Sequence, residues 1–391
     1  MLYVPPGLSA KHVEVAERVN ALRAQLQFAT QTRPRRWTGL LRRSTFARAI
    51  QGSNSIEGFN VTIEDALAAV EGEEPLDEKN EAWRAVSGYR NAMSYVLQLH
   101  DDPHYQHNLG TLRSLHYMMI GYDVQKHPGR FRPGAIYVRH EPSGEIVYEG
   151  PDVQLIPGLM DELVESLNRP DDGPTLVRAA MAHLNLVLIH PFSDGNGRMG
   201  RALQTLVLAR DGILDPTFSS IEEYLGHNTE AYYAVLAEVG RGSWHPEIDA
   251  LPWVTFCLTA HYRQAETLLR RTKELEKLWD LIEDELKRQG LPERMAFALS
   301  DAAVGYRVRN ASYRPMADVS DQVASRDLAT LVSKKFLVAK GERRGRHYVA
   351  GEWLNAARSR VRLRKVVTDP FTQADPPPSQ PLQRTLPGFS G

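Results

Sequence analysis

The sequence predicts a mostly α fold, on three observations. Apolar residues recur at helical spacing along extended stretches, as at Met181, Leu184, Val187 and Leu188. Short β runs do not alternate with helical segments, which argues against a parallel sheet wound with helices. The aliphatic content is moderate, yet 42% of the 391 residues are hydrophobic, enough for real cores in two or three domains.

Charge and cysteine usage exclude several classes. A net charge of −1 and a pI near 6.9 argue against a wholesale nucleic-acid or membrane binder. The single cysteine, Cys257 in the apolar stretch WVTFCLTA, reads as packed rather than reactive, and no disulfide is possible within the chain. The start carries no secretory apolar region and no run reaches spanning length, so a cytoplasmic protein without a membrane partner is expected.

In chain order, residues 1–100 read as an N-terminal helical region. Within it SNSIEG (53–58) sets Ser53 and Glu57 four apart with Gly58 next, a pattern that describes an ordinary helix end with glycine as its cap. GRFRPGAIYVRHEPSGEIVYEGP (129–151) alternates as a hairpin does, IYV and EIVYE being separated by Pro142, Ser143 and Gly144. Its Arg130, Arg132 and Arg139 read as solvated charges or as part of a docking strand. RAAMAHLNLVLIH (178–190) is a buried helix that Pro191 stops, because the residue before a proline is pushed out of the helical region. His190 is thereby left at a helix end facing a loop. His183, seven residues earlier, reads as a core histidine, since no third ligand lies at zinc spacing.

The stretch HPFSDGNGRMGR (190–201) carries the chemistry. Gly195 and Gly197 flank Asn196 in a turn where positive φ angles would aim backbone N–H groups into an anion-binding nest. The next helix, RMGRALQTLVLARDG, adds its unpaired N–H groups and dipole to the same preference. Arg198 and Arg201 are three apart, on one face, and arginine forks onto phosphate oxygens, so a polyphosphate is implied. Asp194 at the rim is placed to hold Mg²⁺ beside phosphates. His190 lacks a Ser or Cys nucleophile in the motif and reads as a general base toward an incoming hydroxyl. Phe192 reads as a core anchor.

Beyond the loop, HYRQAETLLRRTKELEKLWDLIEDELKRQG (261–290) is a charge-laced helix with an apolar seam at Leu268, Leu275, Leu278 and Ile282. ADVSDQVASRDLATLVSKKFLVAKGERRGRHYVAG (317–351) reads as helix, turn, helix and hairpin, an order that resembles a winged helix-turn-helix domain. There Ser325 and Arg326 on the second helix and Arg343, Arg344 and Arg346 on the wing are placed for DNA. The negative charges of Asp318, Asp321 and Asp327 favour a protein-docking module instead, while VRLRKVV (361–367) adds positive charge. DPFTQADPPPSQPLQRTLPGFSG (369–391) is proline-rich and reads as disordered or extended.

Residues 190–201 resemble the signature of the Fic family, HPF-x-D/E-GNGR-x-x-R, with every specified position filled. The resemblance implies a Fic-type helical core with a small β-hairpin flap and transfer of AMP from ATP to a Ser, Thr or Tyr hydroxyl of a protein, this one included. It gives His190 the target proton and Asp194 the Mg²⁺. Asn196 and the Gly195 and Gly197 amides would take the α-phosphate, Arg198 and Arg201 the β- and γ-phosphates, and Ser193 completes the phosphate loop. Ser53, Glu57 and Gly58 match the S/T-x-x-x-E-G/N of members that carry an inhibitory helix, here near 44–58, so Glu57 would pair with Arg201 and displace the γ-phosphate. Assistance by the same glutamate in removing AMP stays open.

The family's flap corresponds to 129–151, where a target segment would add as a strand. In FSSIEEYLGHNTEAYYAVLAEVG (218–240), Tyr233 would meet the adenine edge and Leu236 its face, beside Tyr232, with Gly240 where some members have asparagine. The expected organisation is an N-terminal region (1–100), a catalytic core (101–260), a connector (261–297), a winged helix (298–366) and a tail (367–391). The alternative is an ATP-sensing transcriptional regulator that binds DNA through the winged helix. A homo-oligomer is compatible with either.

Overall fold

The computed structural model describes residues 1–31, 37–72, 81–139, 143–169, 173–210, 212, 214–342 and 345–372. The mostly helical expectation holds, and the strands among the described residues form two separate antiparallel ribbons. Chain order is α1 (Ala10–Gln31), α2 (Thr38–Ile56), α3 (Ile63–Glu71), α4 (Glu81–Gln98), α5 (Leu109–Ile120), β1 (Tyr137–Arg139), β2 (Ile146–Glu149), α6 (Ile156–Asn168), α7 (Thr175–Ile189) and α8 (Asn196–Ala209). There follow α9 (Glu222–His227), α10 (Thr229–Gly240), α11 (Leu251–Arg288), α12 (Ala296–Ala303), α13 (Asn310–Ala317), α14 (Asp321–Ser333), β3 (Leu337–Lys340), β4 (His347–Ala350) and α15 (Glu352–Val361).

Two apolar clusters organise these elements. The first surrounds α7 and α8, which are buried almost all round and pack against each other, with α1, α4, α5, α6, α10 and the first half of α11 about them. Cys257 lies in it, buried as expected. His183 is a satisfied core histidine: its Nδ1 lies 2.6 Å from Gln204 Oε1 and its Nε2 accepts from the Tyr232 hydroxyl at 3.0 Å.

The second cluster joins Trp37, Leu40, Leu41 and Ala47 of the α2 region to the end of α11 and to α12–α15. The predicted seam residues Leu268, Leu275, Leu278 and Ile282 all lie in it. Continuous α11 belongs to both clusters, and so does α2, whose Ile50 and Ile56 lie in the first. Arg43 ties α2 to α12 through Asp301 at 2.9 Å.

The C-terminal elements run helix, helix, helix and hairpin, with an isolated bridge from Val308 to Tyr348. Asp327 is buried, receiving Arg294 at 2.7 and 3.0 Å and the Tyr313 hydroxyl at 2.9 Å. Its expected repulsion of phosphate is therefore corrected, because the charge is neutralised inside the module. Arg326 and Arg346 are exposed, and Ser325 accepts from Asn310 Nδ2 at 2.8 Å; Arg343 and Arg344 lie outside the described residues. The tail reading also needs correction at its start. Pro370 is buried, Phe371 lies 5.1 Å from the His12 ring, and Thr368 bonds Glu266 at 3.1 Å, so 367–372 are laid back along α1 and α11. Residues 373–391 lie outside the described residues. Among those described, no helix is long and apolar enough to cross a membrane.

Candidate active site

The site is built where α7 ends and α8 begins. α7 stops at the position Pro191 dictates, but His190 takes the left-handed region (φ 51°, ψ 57°) rather than an extended one. That geometry closes the helix, since the His190 N–H still reaches the Leu186 carbonyl at 3.0 Å. The ring is fixed too. Nδ1 lies 3.0 Å from the Val187 carbonyl, which can only accept, so Nδ1 holds the proton and Nε2 keeps its lone pair. Burial lowers the imidazole pKa below 6.5, outweighing the opposite pull of the Val187 carbonyl and of Glu57. A neutral base with a free Nε2 is the result.

The loop is stapled from within. Asn196 accepts from the Phe192 N–H through Oδ1 at 2.9 Å and donates Nδ2 to the Phe192 carbonyl at 2.9 Å. Each end of its amide thus makes one bond to the loop, and the side chain braces the nest. Phe192 is fully buried as expected, its ring stacked 3.8 Å from that of His116. His116 accepts the Gly129 N–H on Nδ1 at 2.8 Å and donates Nε2 to the Asp194 carbonyl at 2.9 Å, a neutral ring whose pKa burial pushes down to about 4.

The two glycines differ. Gly195 has the expected positive φ of 78° and starts α8. Gly197 does not, being helical; there a Cβ would run into Glu57 Oε1, so its role is clearance.

Arg198 and Arg201 are both buried in α8, yet their partners differ. Arg198 Nε, Nη1 and Nη2 have no hydrogen-bond partner; the guanidinium stacks 5.2 Å from the Phe59 ring centroid and stands 3.8 Å from Asp194 Oδ1. Arg201 donates Nε to Ser53 Oγ at 2.7 Å, and Nη2 to the Ser53 carbonyl at 3.0 Å and to Glu57 Oε1 at 2.6 Å. Burial opposes this charge, but Glu57 overcomes it and raises the Arg201 pKa.

The helix-end reading of SNSIEG holds: Glu57 is the C-cap of α2, and Gly58 follows at φ 81°. What sets α2 at this height is Gly52. A Cβ there would strike the Glu222 carbonyl, and one at Gly226 of α9 would meet the Gly52 backbone, so α2 and α9 touch glycine to glycine.

The Asp194 carboxylate caps its neighbour, accepting the Gly195 N–H on Oδ1 at 2.6 Å, while Oδ2 pairs with Lys126 Nζ at 2.8 Å. Burial would raise its pKa, but Lys126 and Arg198 hold it below the ordinary carboxylate value. The donors fit a phosphate chain: buried guanidinium nitrogens without partners need an anion. They also fit Mg²⁺ held mainly by phosphate oxygens. Asp194 is a single rim carboxylate, and no group of three His, Cys, Asp or Glu suited to a metal occurs among the described residues.

Around this centre, Tyr233 is half-exposed with its hydroxyl 3.2 Å from the Ile56 carbonyl, whereas Leu236 and Tyr232 are buried. Gly240 packs where a Cβ would stand 3.2 Å from Leu188. The hairpin forms with the register Tyr137 to Glu149 and Val138 to Tyr148, and exposes Tyr137, Ile146 and Val147; His140, Glu141 and Pro142 lie outside the described residues.

Arg139 bonds the Gly144 carbonyl at 2.9 Å. The solvated reading of Arg132 is corrected. It is 3% exposed and donates to the carbonyls of His190 (2.9 Å), Gly134 and Pro151, tying the base of the hairpin to the histidine.

Sequence reasoning did not find Lys126, Phe59, Gly52 or Glu222. Gly52 alone left a signal, since glycine inside a helix costs about 1 kcal/mol against alanine and calls for a packing reason.

A half-buried base and an anion nest at a helix N-terminus, opposed by a carboxylate from another helix, thus meet in one helix–loop–helix. Residues 106–208 match the Fic/DOC family. It is similar to the protein adenylyltransferase fic-1 of Caenorhabditis briggsae (26% identity over 251 residues, 62% of this chain and 45% of the relative). It is also similar to the protein adenylyltransferase Fic of Aedes aegypti (29% over 244 residues, 62% and 44%). The chain thus spans about half the length of the curated relatives it matches. Among solved structures, a Fic family protein from Desulfovibrio desulfuricans G20 superposes with a TM-score of 0.59 at 22% identity, covering 90% of this chain and 99% of that one, a likeness of fold.

Proposed function

We propose that the protein transfers AMP from ATP to a hydroxyl side chain of a protein, and that Glu57 restrains it. The observation that carries this reading is the contrast across α8: Arg198 buried with no hydrogen-bond partner, Arg201 held by Ser53 and Glu57. In this reading the target oxygen attacks the α-phosphorus, its proton passes to His190 Nε2, and the bond to the β-phosphate bridging oxygen breaks to release pyrophosphate. Mg²⁺, when bound at Asp194, would offset phosphate charge. The first N–H groups of α8, which the turn at Gly195 aims into the nest, receive the α-phosphate, and Arg198 receives the leaving group. Asn196 holds the loop in shape through Phe192. Glu57 withholds Arg201 from the γ-phosphate.

The target would lie along the hairpin, whose exposed Tyr137, Ile146 and Val147 suit an extended segment with apolar side chains. Tyr233 faces the adenine side once its bond to Ile56 is given up. ATP labelled at the α- or the γ-phosphate tests the assignment. Retention of only the α-label on protein supports AMP transfer, and retention of the γ-label points to phosphoryl transfer.

A second activity is favoured by the C-terminal module, read as a winged helix. With Asp327 buried, the exposed face of α14 offers Ser325 and Arg326, and Arg346 stands on the hairpin. DNA or a protein partner would dock there.

A further inference from the structure

The carboxylate assigned to the divalent cation already has a resident cation. Lys126 Nζ stands 2.8 Å from Asp194 Oδ2, and the other oxygen is taken by the Gly195 N–H. The lysine is held in place. It ends a 3-10 turn, Val124–Lys126, whose Gln125 N–H is received by Asp123 Oδ1 at 3.0 Å, and His127 closes the turn at φ 52°. Its ammonium lies 6.0 Å from the Tyr122 ring centroid. Two more carboxylates are within reach, Glu81 at 3.8 Å and Asp123 at 3.9 Å. An ammonium displaced from Asp194 therefore has somewhere to go.

We propose that Lys126 is a positioning residue that competes with the divalent cation for Asp194, a second gate distinct from the Glu57–Arg201 contact. The inference rests on the proposed assignment of Asp194 to the metal. A divalent ion on Oδ2 and an ammonium at the same oxygen repel one another, so one must leave, and Glu81 and Asp123 receive the lysine. The exchange makes and breaks no covalent bond. It sets how much Mg²⁺ is needed before nucleotide is held in register, whereas Glu57 sets where the γ-phosphate lies.

ADP is the probe that separates the gates, because it lacks the phosphate that Glu57 opposes. Calorimetric titration of ADP into the full chain at a series of Mg²⁺ concentrations gives the midpoint at which the cation strengthens binding. In Lys126→Gln that midpoint falls about three- to tenfold, the yield of one partly exposed ion pair. In Lys126→Arg it stays near the wild-type value, and in Asp194→Asn the Mg²⁺ dependence is lost. A midpoint in Lys126→Gln that is unchanged or higher overturns the proposal, as does weaker metal-free ADP binding with an unmoved midpoint, which makes Lys126 a phosphate ligand. If ADP fails to bind wild type at any Mg²⁺ concentration, the nucleotide reading itself fails and takes this gate with it.

Discussion

Arg198 and Arg201 sit one turn apart on α8 and are equally buried, yet the first guanidinium makes no hydrogen bond and the second makes three. At the Arg198 end the guanidinium meets an aromatic ring and a carboxylate at ion-pair range, with no hydrogen bond to any of its three nitrogens. At the Arg201 end, Ser53 and Glu57 arrive from a helix 144 to 148 residues earlier and take three donor contacts. A buried guanidinium without hydrogen bonds is costly, and a site that binds an anion accounts for such a cost. A buried cation with a partner is stable and must be released. The first end is preorganised and the second is restrained.

Stability separates the two ends most strongly. Arg201→Ala strands Glu57 and the Ser53 hydroxyl and lowers unfolding free energy by about 3–5 kcal/mol. Arg198→Ala removes a buried charge that makes no hydrogen bond and gives up only the long contact to Asp194 and the Phe59 ring, so stability changes by about 1 kcal/mol or less, while ADP binding weakens. Equal losses in chemical denaturation would erase the distinction.

A second carboxylate sharpens it. Glu222 is buried near Arg201, receives the Tyr89 hydroxyl at 2.8 Å, and has its pKa pushed up by burial to about 7, against the opposing pull of Tyr89 and Arg201. The folded state thus binds this proton more tightly than the unfolded chain does. Its contribution is full below the ordinary value of 4.5 and is lost as pH rises to about 7. Glu222→Gln should flatten the stability curve across that window by about 3 kcal/mol. A slope equal to wild type would remove Glu222 from the account.

The smallest effect belongs to Ser53→Ala. Arg201 keeps the Ser53 carbonyl and Glu57 but loses its shortest neutral acceptor, at about 1.5 kcal/mol. Melting should fall slightly and label transfer rise by less than in Glu57→Gly; a larger rise would make the serine, not the glutamate, the main restraint.

What the sequence made legible was whatever local spacing decides. The end of α7 at Pro191, the turn at Gly195, the helix that presents Arg198 and Arg201, and the helix end at Glu57 and Gly58 all follow from neighbours in the chain. Two of the polar loop residues read as ligand contacts also have protein partners that the sequence did not show, Asn196 with Phe192 and Asp194 with Lys126, because hydrogen-bond partners are chosen after folding. Arg132 and Asp327 were misjudged for the same reason. Their charges look solvated in a list of residues, but each is buried among carbonyls or a distant arginine. Gly52 shows the limit from the other side. Nothing near it in the chain says that α9 will press against it, at a distance that leaves no room for a Cβ.

Restraint of a competent transfer site by the Glu57 carboxylate unites these contrasts. It is tested most directly with ATP labelled at the α-phosphate and three proteins: wild type, Glu57→Gly, and Glu57→Gly/His190→Ala. Label retained on protein should rise roughly ten- to a hundredfold in Glu57→Gly, the worth of a charge-assisted contact, and vanish when His190 is also removed. Retention that stays at the wild-type level in folded Glu57→Gly, or that survives loss of His190, would contradict the account.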